Sequence, residues 1–358
     1  MPIADRNCGF GEQVVFLDGI SGTGKTMIGP ILSTFKRVET QRFEHIYEYL
    51  CALRFLDRIQ SDAADAMIKM YLDLACYNSM IGRESNFRWR DLSGVLRNPG
   101  GLRYLRRLFL PDGDVVIARI KNESPVLQIV SHQILGIAEP LFAALGRRLT
   151  LIEMVRHPLH LIDHWYSWID GFGVNLRDFT IWVSFQGQSL PWFAHGWEEK
   201  FVKSNKMDRV IFSLERLIKL ADDQLAHTPS PSSQVVVIPF ECFVVNPWPY
   251  IEKIEVALGS TSTRATQREL RKQKVPRTLT LDGKDLPIYR RYNWAPLEKD
   301  STEENEMRKR WEKVNQEATA EGLSALEKLC RNYESRYWGR GVFVPSVTSQ
   351  SRFFSGNK

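Results

Sequence analysis

Apolar positions along the chain fall into two alternating patterns: short apolar runs of strand length, and longer stretches with an apolar residue every three or four positions. The first run, Val14-Val15-Phe16-Leu17, ends in Asp18-Gly19 and reads as a buried strand entering a loop. Thr26 to Phe35 has helical spacing. Residues 41–83 carry two longer helical patterns, with Ile46, Leu50, Leu53 and Leu56 on one stripe and Met67, Met70, Tyr71 and Leu74 on the next. Asn98-Pro99-Gly100-Gly101 breaks the pattern. Asp112 or Asp114 is placed to cap a helix that runs to Glu123 and ends at Ser124-Pro125.

The second half is more regular. Val126 to Val130 reads as a strand, Ile134 to Leu145 as a helix, Leu149 to Val155 as a strand and Pro158 to Ile169 as a helix. Met207 to Ala226 reads as a helix and Val235 to Pro239 as a strand, with helical pattern through Leu258. Strands alternating with helices predict an α/β domain of three layers, in which helices cover both faces of a mainly parallel central sheet. The segment before residue 126 supplies helical insertions, and the charged stretch from Ser301 to Tyr337 a helical C-terminal extension. The expected division is a domain over 1–295, an extension over 296–340, and a frayed tail rich in Ser, Gly and Phe over 341–358.

Between the first strand and the first helix lies Gly19-Ile20-Ser21-Gly22-Thr23-Gly24-Lys25-Thr26, a complete G-x-x-x-x-G-K-[ST] phosphate loop in its required context. Glycines let the backbone turn its N–H groups around an oxyanion, the helix that follows points its positive end at the same place, and Lys25 adds a point charge. The domain is therefore expected to be a three-layer P-loop fold.

Composition adds limits. With 43% apolar and 25% charged residues the chain is an ordinary globular one, and 48 basic against 42 acidic residues leave a net charge of only +6. That is too mild to argue for nucleic acid as a general partner but suits anionic ligands. The five cysteines are scattered, with neither CxxC nor Cys/His clustering, so no disulfide framework and no metal site is expected. The N-terminus lacks an apolar signal, and no run reaches the roughly 18 apolar residues of a membrane span. A cytoplasmic protein without a membrane partner is expected.

The second half resembles a particular family. Leu151-Ile152-Glu153-Met154-Val155-Arg156-His157-Pro158, followed by the amphipathic Leu159 to Trp168, resembles the second signature of the P-loop sulfotransferases. Val235 to Glu241, with Asn246-Pro247 and the helix to Leu258-Gly259, is similar to that family's late strand, acidic turn and helix, so the resemblance spans about residues 13 to 260. It implies 3′-phosphoadenosine-5′-phosphosulfate as donor and a hydroxyl or amine as acceptor. Ser21 to Thr26 would hold the donor's 5′ end, with Lys25 neutralising charge on the leaving group. Arg156 would contact the 3′-phosphate. Ser131-His132 resembles the place of the histidine that deprotonates the acceptor, so His132 is the candidate base, with Glu39, Glu44 and His45 as alternatives. Two positions depart from the family pattern: Ile20 replaces a basic residue ahead of Ser-Gly-Thr, and His164 stands where a second 3′-phosphate ligand is a serine, with Ser167 one turn farther on.

From Arg264 to Arg291 there are nine basic and three acidic residues, and Arg271, Lys272, Lys274 and Arg277 stand where the family closes a basic loop over the 3′-phosphate. Ten aromatic residues between Trp165 and Trp197 form either an acceptor wall or a subdomain packed on itself. Two rival readings remain open at this point. One is an ATP-dependent small-molecule kinase, with Mg²⁺ held by Thr26 and Asp18, Glu153 or Glu241. The other is a non-catalytic nucleotide-binding protein that uses the helices at 41–83 as a partner surface.

Overall fold

The computed structural model describes residues 3–89, 91–227, 234–283 and 301–338. The expected tail over 341–358, the 295/296 boundary, and Lys284, Arg290 and Arg291 of the basic run lie outside the described residues.

Five parallel strands form the central sheet: β1 (Val14–Asp18), β2 (Arg42–Phe43), β3 (Leu127–Val130), β4 (Leu149–Val155) and β7 (Val235–Pro239), in the order β2-β3-β1-β4-β7. The first strand shows why both faces are covered. Val14 and Phe16 point to one side and Val15 and Leu17 to the other, and all four are buried. On the Phe16 side pack α2 (Ile46–Phe55), α3 (Ser61–Met80), α6 (Glu139–Leu145), α7 (Pro158–Trp168) and α9 (Lys206–His227). On the Leu17 side pack α1 (Lys25–Leu32), α11 (Trp248–Leu258) and α12 (Arg264–Lys272). The α/β architecture is thus a three-layer one built on a parallel sheet.

The remaining helices are α4 (Leu102–Arg107), α5 (Asp114–Glu123), α8 (Glu198–Lys203), α10 (Phe240–Val245), α13 (Glu303–Glu317) and α14 (Ala320–Tyr333). The last two share the main core: Met307, Trp311, Val314, Leu326, Leu329 and Cys330 are buried in the Phe16-side cluster. Strands β5 (Trp182–Phe185) and β6 (Gln188–Pro191) form a separate hairpin that the sequence pattern did not signal. Its partner-facing runs are only four residues each, and one is mostly exposed.

Three local expectations are corrected. On α3, Met70 and Leu74 are 52% and 49% exposed, and the buried stripe is Ala64, Ile68, Leu72, Ala75 and Cys76. Two apolar stripes compete on this helix, and the one with small residues fits the close approach of its neighbours. Neither Asp112 nor Asp114 caps α5 through its side chain: Gly113 occupies the cap position and Asp114 is the first helical residue. The helical pattern after Pro239 is two helices, separated at Asn246-Pro247, where proline removes a donor and the preceding residue is held extended. Among the described residues no helix is long and apolar enough to cross a membrane.

Candidate active site

Most of the site follows the carboxyl ends of sheet strands. The strand order changes direction on either side of β1, and ligands of such sheets bind at that switch. The phosphate loop follows β1, His45 follows β2, His132 follows β3, Arg156 follows β4 and Phe240 follows β7. All but the buried outer parts of the loop line a single cleft of about 1280 Å³.

The loop is shaped for an anion. Gly19, Gly22 and Gly24 have φ of 139°, 98° and 98°, a region that side chains other than glycine rarely adopt. Space is also short: a Cβ on Gly24 would lie 2.5 Å from the Phe240 ring. Helix α1 has no acidic residue in its first turn, so nothing offsets its positive end. The Lys25 ammonium is buried and folds back on the loop, donating to the carbonyls of Gly19 and of Ile20 (3.3 Å). Burial lowers its pKa, against the pull of Asp18, Glu153 and Glu48. The Ser21 N–H and Oγ both donate to Gln133 Oε1, at 3.3 and 3.2 Å. Thr23 Oγ1 is buried with no hydrogen-bond partner. An anion in the loop would supply acceptors for these donors.

Beneath the loop, Asp18 accepts from Ser131 Oγ (3.0 Å) and from the N–H groups of Ile134 (2.9 Å) and Leu135 (2.8 Å). Glu153 lies beside it in register. Burial, and then the charge of Asp18, raise the Glu153 pKa well above the carboxylate range, against the pull of Lys25. Glu241 accepts from the His157 N–H (3.2 Å) and from the Tyr333 hydroxyl. Of the three carboxylates considered as Mg²⁺ ligands, Asp18 and Glu241 thus each accept several protein donors.

At one end of the cleft two cations contact one aromatic ring. The guanidinium of Arg156 lies 4.3 Å from the Phe240 ring centre and that of Arg277 5.6 Å from it. Arg156 Nη1 donates to the Gly22 carbonyl (2.8 Å), and its Nε is 3.9 Å from Glu241 rather than near Glu153. Arg277 donates to the Thr280 carbonyl (3.0 Å) and to the Met27 sulfur (3.2 Å). His164 packs against Gly22 and lines the same wall. Burial, then the charges of Lys25 and Arg156, push its pKa down to about 3, so it is neutral.

Other proposed contacts are not brought here. Arg271 donates to the Gln267 carbonyl, Lys272 pairs with Glu269 and Lys274 with Asp282, so of the basic loop's four cations only Arg277 lines the cleft. Ser167 is exposed and donates to the His164 carbonyl (2.8 Å) instead of facing the cleft. The sequence did not single out His160 or Arg310. His160 is 8% exposed, lines the cleft, and has no hydrogen-bond partner on either nitrogen; burial and then Arg156 hold its pKa far below the usual histidine range. Arg310 comes from α13, pairs with Glu306 (3.1 Å), and lies 3.6 Å from Asp163.

At the other end stands His132, with its Nδ1 3.0 Å from Glu48 Oε1. Burial works to raise the Glu48 pKa, but His132 and then His45 hold it down to about 2. An ionised carboxylate only accepts, so Nδ1 of His132 carries a proton, and in the neutral ring Nε2 is the one lone pair. Glu48 lies in the first turn of α2, a position that helical periodicity marks only as polar, which is why sequence reasoning passed over it. His45 Nδ1 is 3.4 Å from the other oxygen of Glu48. Glu44 pairs with Arg42. Glu39 is buried against Arg107 and Tyr104, and is not part of this cleft. Of the ten aromatic residues, Trp168, Phe179 and Trp192 line the cleft. Trp165, Phe172 and Phe193 pack on one another in the core, so the segment is both wall and subdomain.

Fold and loop together define an α/β P-loop protein. Comparison of folds finds similarity to a sulfotransferase domain from the curacin biosynthetic pathway, over 90% of this chain and 98% of that one, at 11% identity and a TM-score of 0.42. A sulfotransferase domain from the Synechococcus PCC 7002 olefin synthase is similar over 93% and 98%, at 11% identity and 0.39. Sulfotransferase STF1 from Mycobacterium tuberculosis H37Rv is similar over 73% and 71%, at 12% identity and 0.37. No family model and no curated protein sequence matches the chain.

Proposed function

We propose that the chain is a sulfotransferase that moves a sulfuryl group from 3′-phosphoadenosine-5′-phosphosulfate to a hydroxyl or amine. The observation that carries this reading is the layout of one cleft. A phosphate loop lies between a pair of arginines on Phe240 at one end and a histidine–carboxylate pair at the other. A donor with both a 5′- and a 3′-phosphate fits a phosphate loop with an arginine pair adjoining it at Gly22. The donor supplies an activated sulfuryl group whose bridging oxygen leaves with the 5′-phosphate. Lys25 and the loop N–H groups would receive the charge that develops on that oxygen. Arg156, with Arg277 and the neutral His164, would hold the 3′-phosphate and so fix the donor in line. His132 Nε2 would take the acceptor's proton as the acceptor atom bonds to sulfur, while Glu48 holds the ring in the required tautomer and stabilises the imidazolium. Adenosine 3′,5′-bisphosphate and the sulfated acceptor are the products. The commitment of Asp18 and Glu241 to protein donors weighs against a Mg²⁺-dependent kinase.

The test is transfer from this donor to a panel of hydroxyl and amine acceptors in EDTA, read as release of adenosine 3′,5′-bisphosphate. Turnover is expected without metal and absent in Lys25→Ala. His132→Asn is expected to keep nucleotide affinity and to slow the chemical step about 10²–10⁴-fold. Turnover only with ATP and Mg²⁺, or normal turnover in His132→Asn, would overturn the proposal.

A further inference from the structure

We infer that His45, Glu48 and His132 form a binding site for a divalent transition ion of the zinc type at the acceptor end of the cleft, and that an ion there silences His132. Each of the three offers one ligand atom, and these atoms all lie within 4.8 Å of one another. The two imidazole nitrogens approach separate oxygens of one carboxylate, at 3.0 Å from His132 and 3.4 Å from His45. Zinc bonds of about 2.0–2.1 Å in a tetrahedron place neighbouring ligand atoms about 3.3 Å apart, so the side chains must close in by up to about 1.5 Å to hold an ion. The set is assembled from two parts of the chain. His45 and Glu48 sit three residues apart at the start of α2 and share one face, and His132 arrives from the end of β3 with its ring 14° from parallel to that of His45. All three line the cleft, so further coordination positions are open to water or to an acceptor, as in zinc sites that exchange ligands.

The donor set chooses the ion. Two imidazoles and one carboxylate suit Zn²⁺, Co²⁺, Ni²⁺ or Cu²⁺, whereas Mg²⁺ and Ca²⁺ demand mostly oxygen ligands. Binding also has a defined effect on the ring. An ion that takes Nδ1 of His132 displaces the proton shared with Glu48, and a neutral ring then carries its single proton on Nε2. The lone pair that accepts the acceptor's proton is gone. The binding half of the inference stands on geometry alone, and the silencing half rests on the transfer reading above.

The experiment uses the full chain stripped with EDTA and titrated with Co²⁺, followed by visible absorption and calorimetry. One ion per chain is expected, with the ligand-field bands of a nitrogen–oxygen site. Zn²⁺ should displace it and Mg²⁺ should not. His45→Gln and Glu48→Gln should each weaken Co²⁺ by at least about tenfold. Because His45 is partly exposed at the helix start, His45→Gln is also expected to keep its fold, and whatever turnover it retains should no longer be inhibited by Zn²⁺. No cobalt bands, displacement by Mg²⁺, a thiolate spectrum that vanishes in Cys8→Ser, or bands unchanged in both variants would overturn the site. If cobalt binds as expected but no acceptor is sulfated in EDTA, the site stands and the transfer reading falls. If turnover is present and zinc leaves it unchanged although cobalt binds, the silencing is refuted.

Discussion

Arg156→Gln separates a reader of the 3′-phosphate from a structural arginine. In the structure Arg156 touches, among other groups, the Gly22 carbonyl, Glu241 at 3.9 Å, and the Phe240 ring. Its loss leaves Glu241 with the His157 N–H and the Tyr333 hydroxyl, so no bare carboxylate is stranded. The unliganded protein should lose only about 1–2 kcal/mol, the scale of a neutral hydrogen bond and a cation–π contact. The ligand loses more. A charge-assisted hydrogen bond to phosphate is worth roughly 1.5–3 kcal/mol, or about ten- to a hundredfold in affinity. At a hundredfold excess over the dissociation constant, a ligand stabilises the native state by about 2.7 kcal/mol. A tenfold weaker one at the same concentration gives about 1.4 kcal/mol, and a hundredfold weaker one about 0.4 kcal/mol. Thermal shifts and calorimetry with adenosine 3′,5′-bisphosphate should show this loss, while ADP binding changes little. Equal losses for both nucleotides would refute the 3′-phosphate role of Arg156.

Gly24→Ala combines a left-handed backbone with a Cβ 2.5 Å from Phe240, the ring on which both arginines rest. It should cost about 1–3 kcal/mol of stability and weaken the bisphosphate at least about tenfold; a melt and a titration identical to wild type would contradict the packing. His164 gives a pH signature. Its folded pKa of about 3 lies below the ordinary value of 6.5, so the unfolded chain binds more protons and stability falls as pH drops through that window. The slope from this one group is at most about 1.4 kcal/mol per pH unit. Denaturant titrations at several pH values should show it flattened in His164→Gln, and an unchanged slope would show that His164 does not titrate as placed.

Much of the sheet was legible because buried parallel strands are continuous apolar runs with sharp ends. Leu149–Val155 and Val235–Pro239 fall where the pattern puts them. The phosphate loop was legible because its backbone geometry needs glycines at fixed spacing. What stayed hidden depends on contacts between distant segments. Glu48 acquires its role only when β3 delivers His132 to α2, and nothing local distinguishes it from any polar helical residue. Gln133, with φ of 47°, looks like a turn residue until it is seen holding Ser21. The basic run misled for the same reason: Arg271, Lys272 and Arg277 are alike in sequence, but only Arg277 turns toward Phe240. The apolar stripe of α3 misled because periodicity identifies faces without saying which one a neighbour covers.

Tyr333 and Glu334 brace Glu241 and His157, which lie behind Arg156. Tyr333 holds Glu241, Glu241 receives the His157 N–H and lies beside Arg156, and Glu334 lies 3.3 Å from His157. During synthesis, a chain that has emerged only as far as Gly283 already owns every strand of the sheet and the whole phosphate loop. It still lacks the hydroxyl that anchors Glu241 and the Arg310 wall of the cleft. On the proposed function, nucleotide binding is expected to await the last helices: a nascent chain on the ribosome should bind adenosine 3′,5′-bisphosphate only after Tyr333 has cleared the exit tunnel.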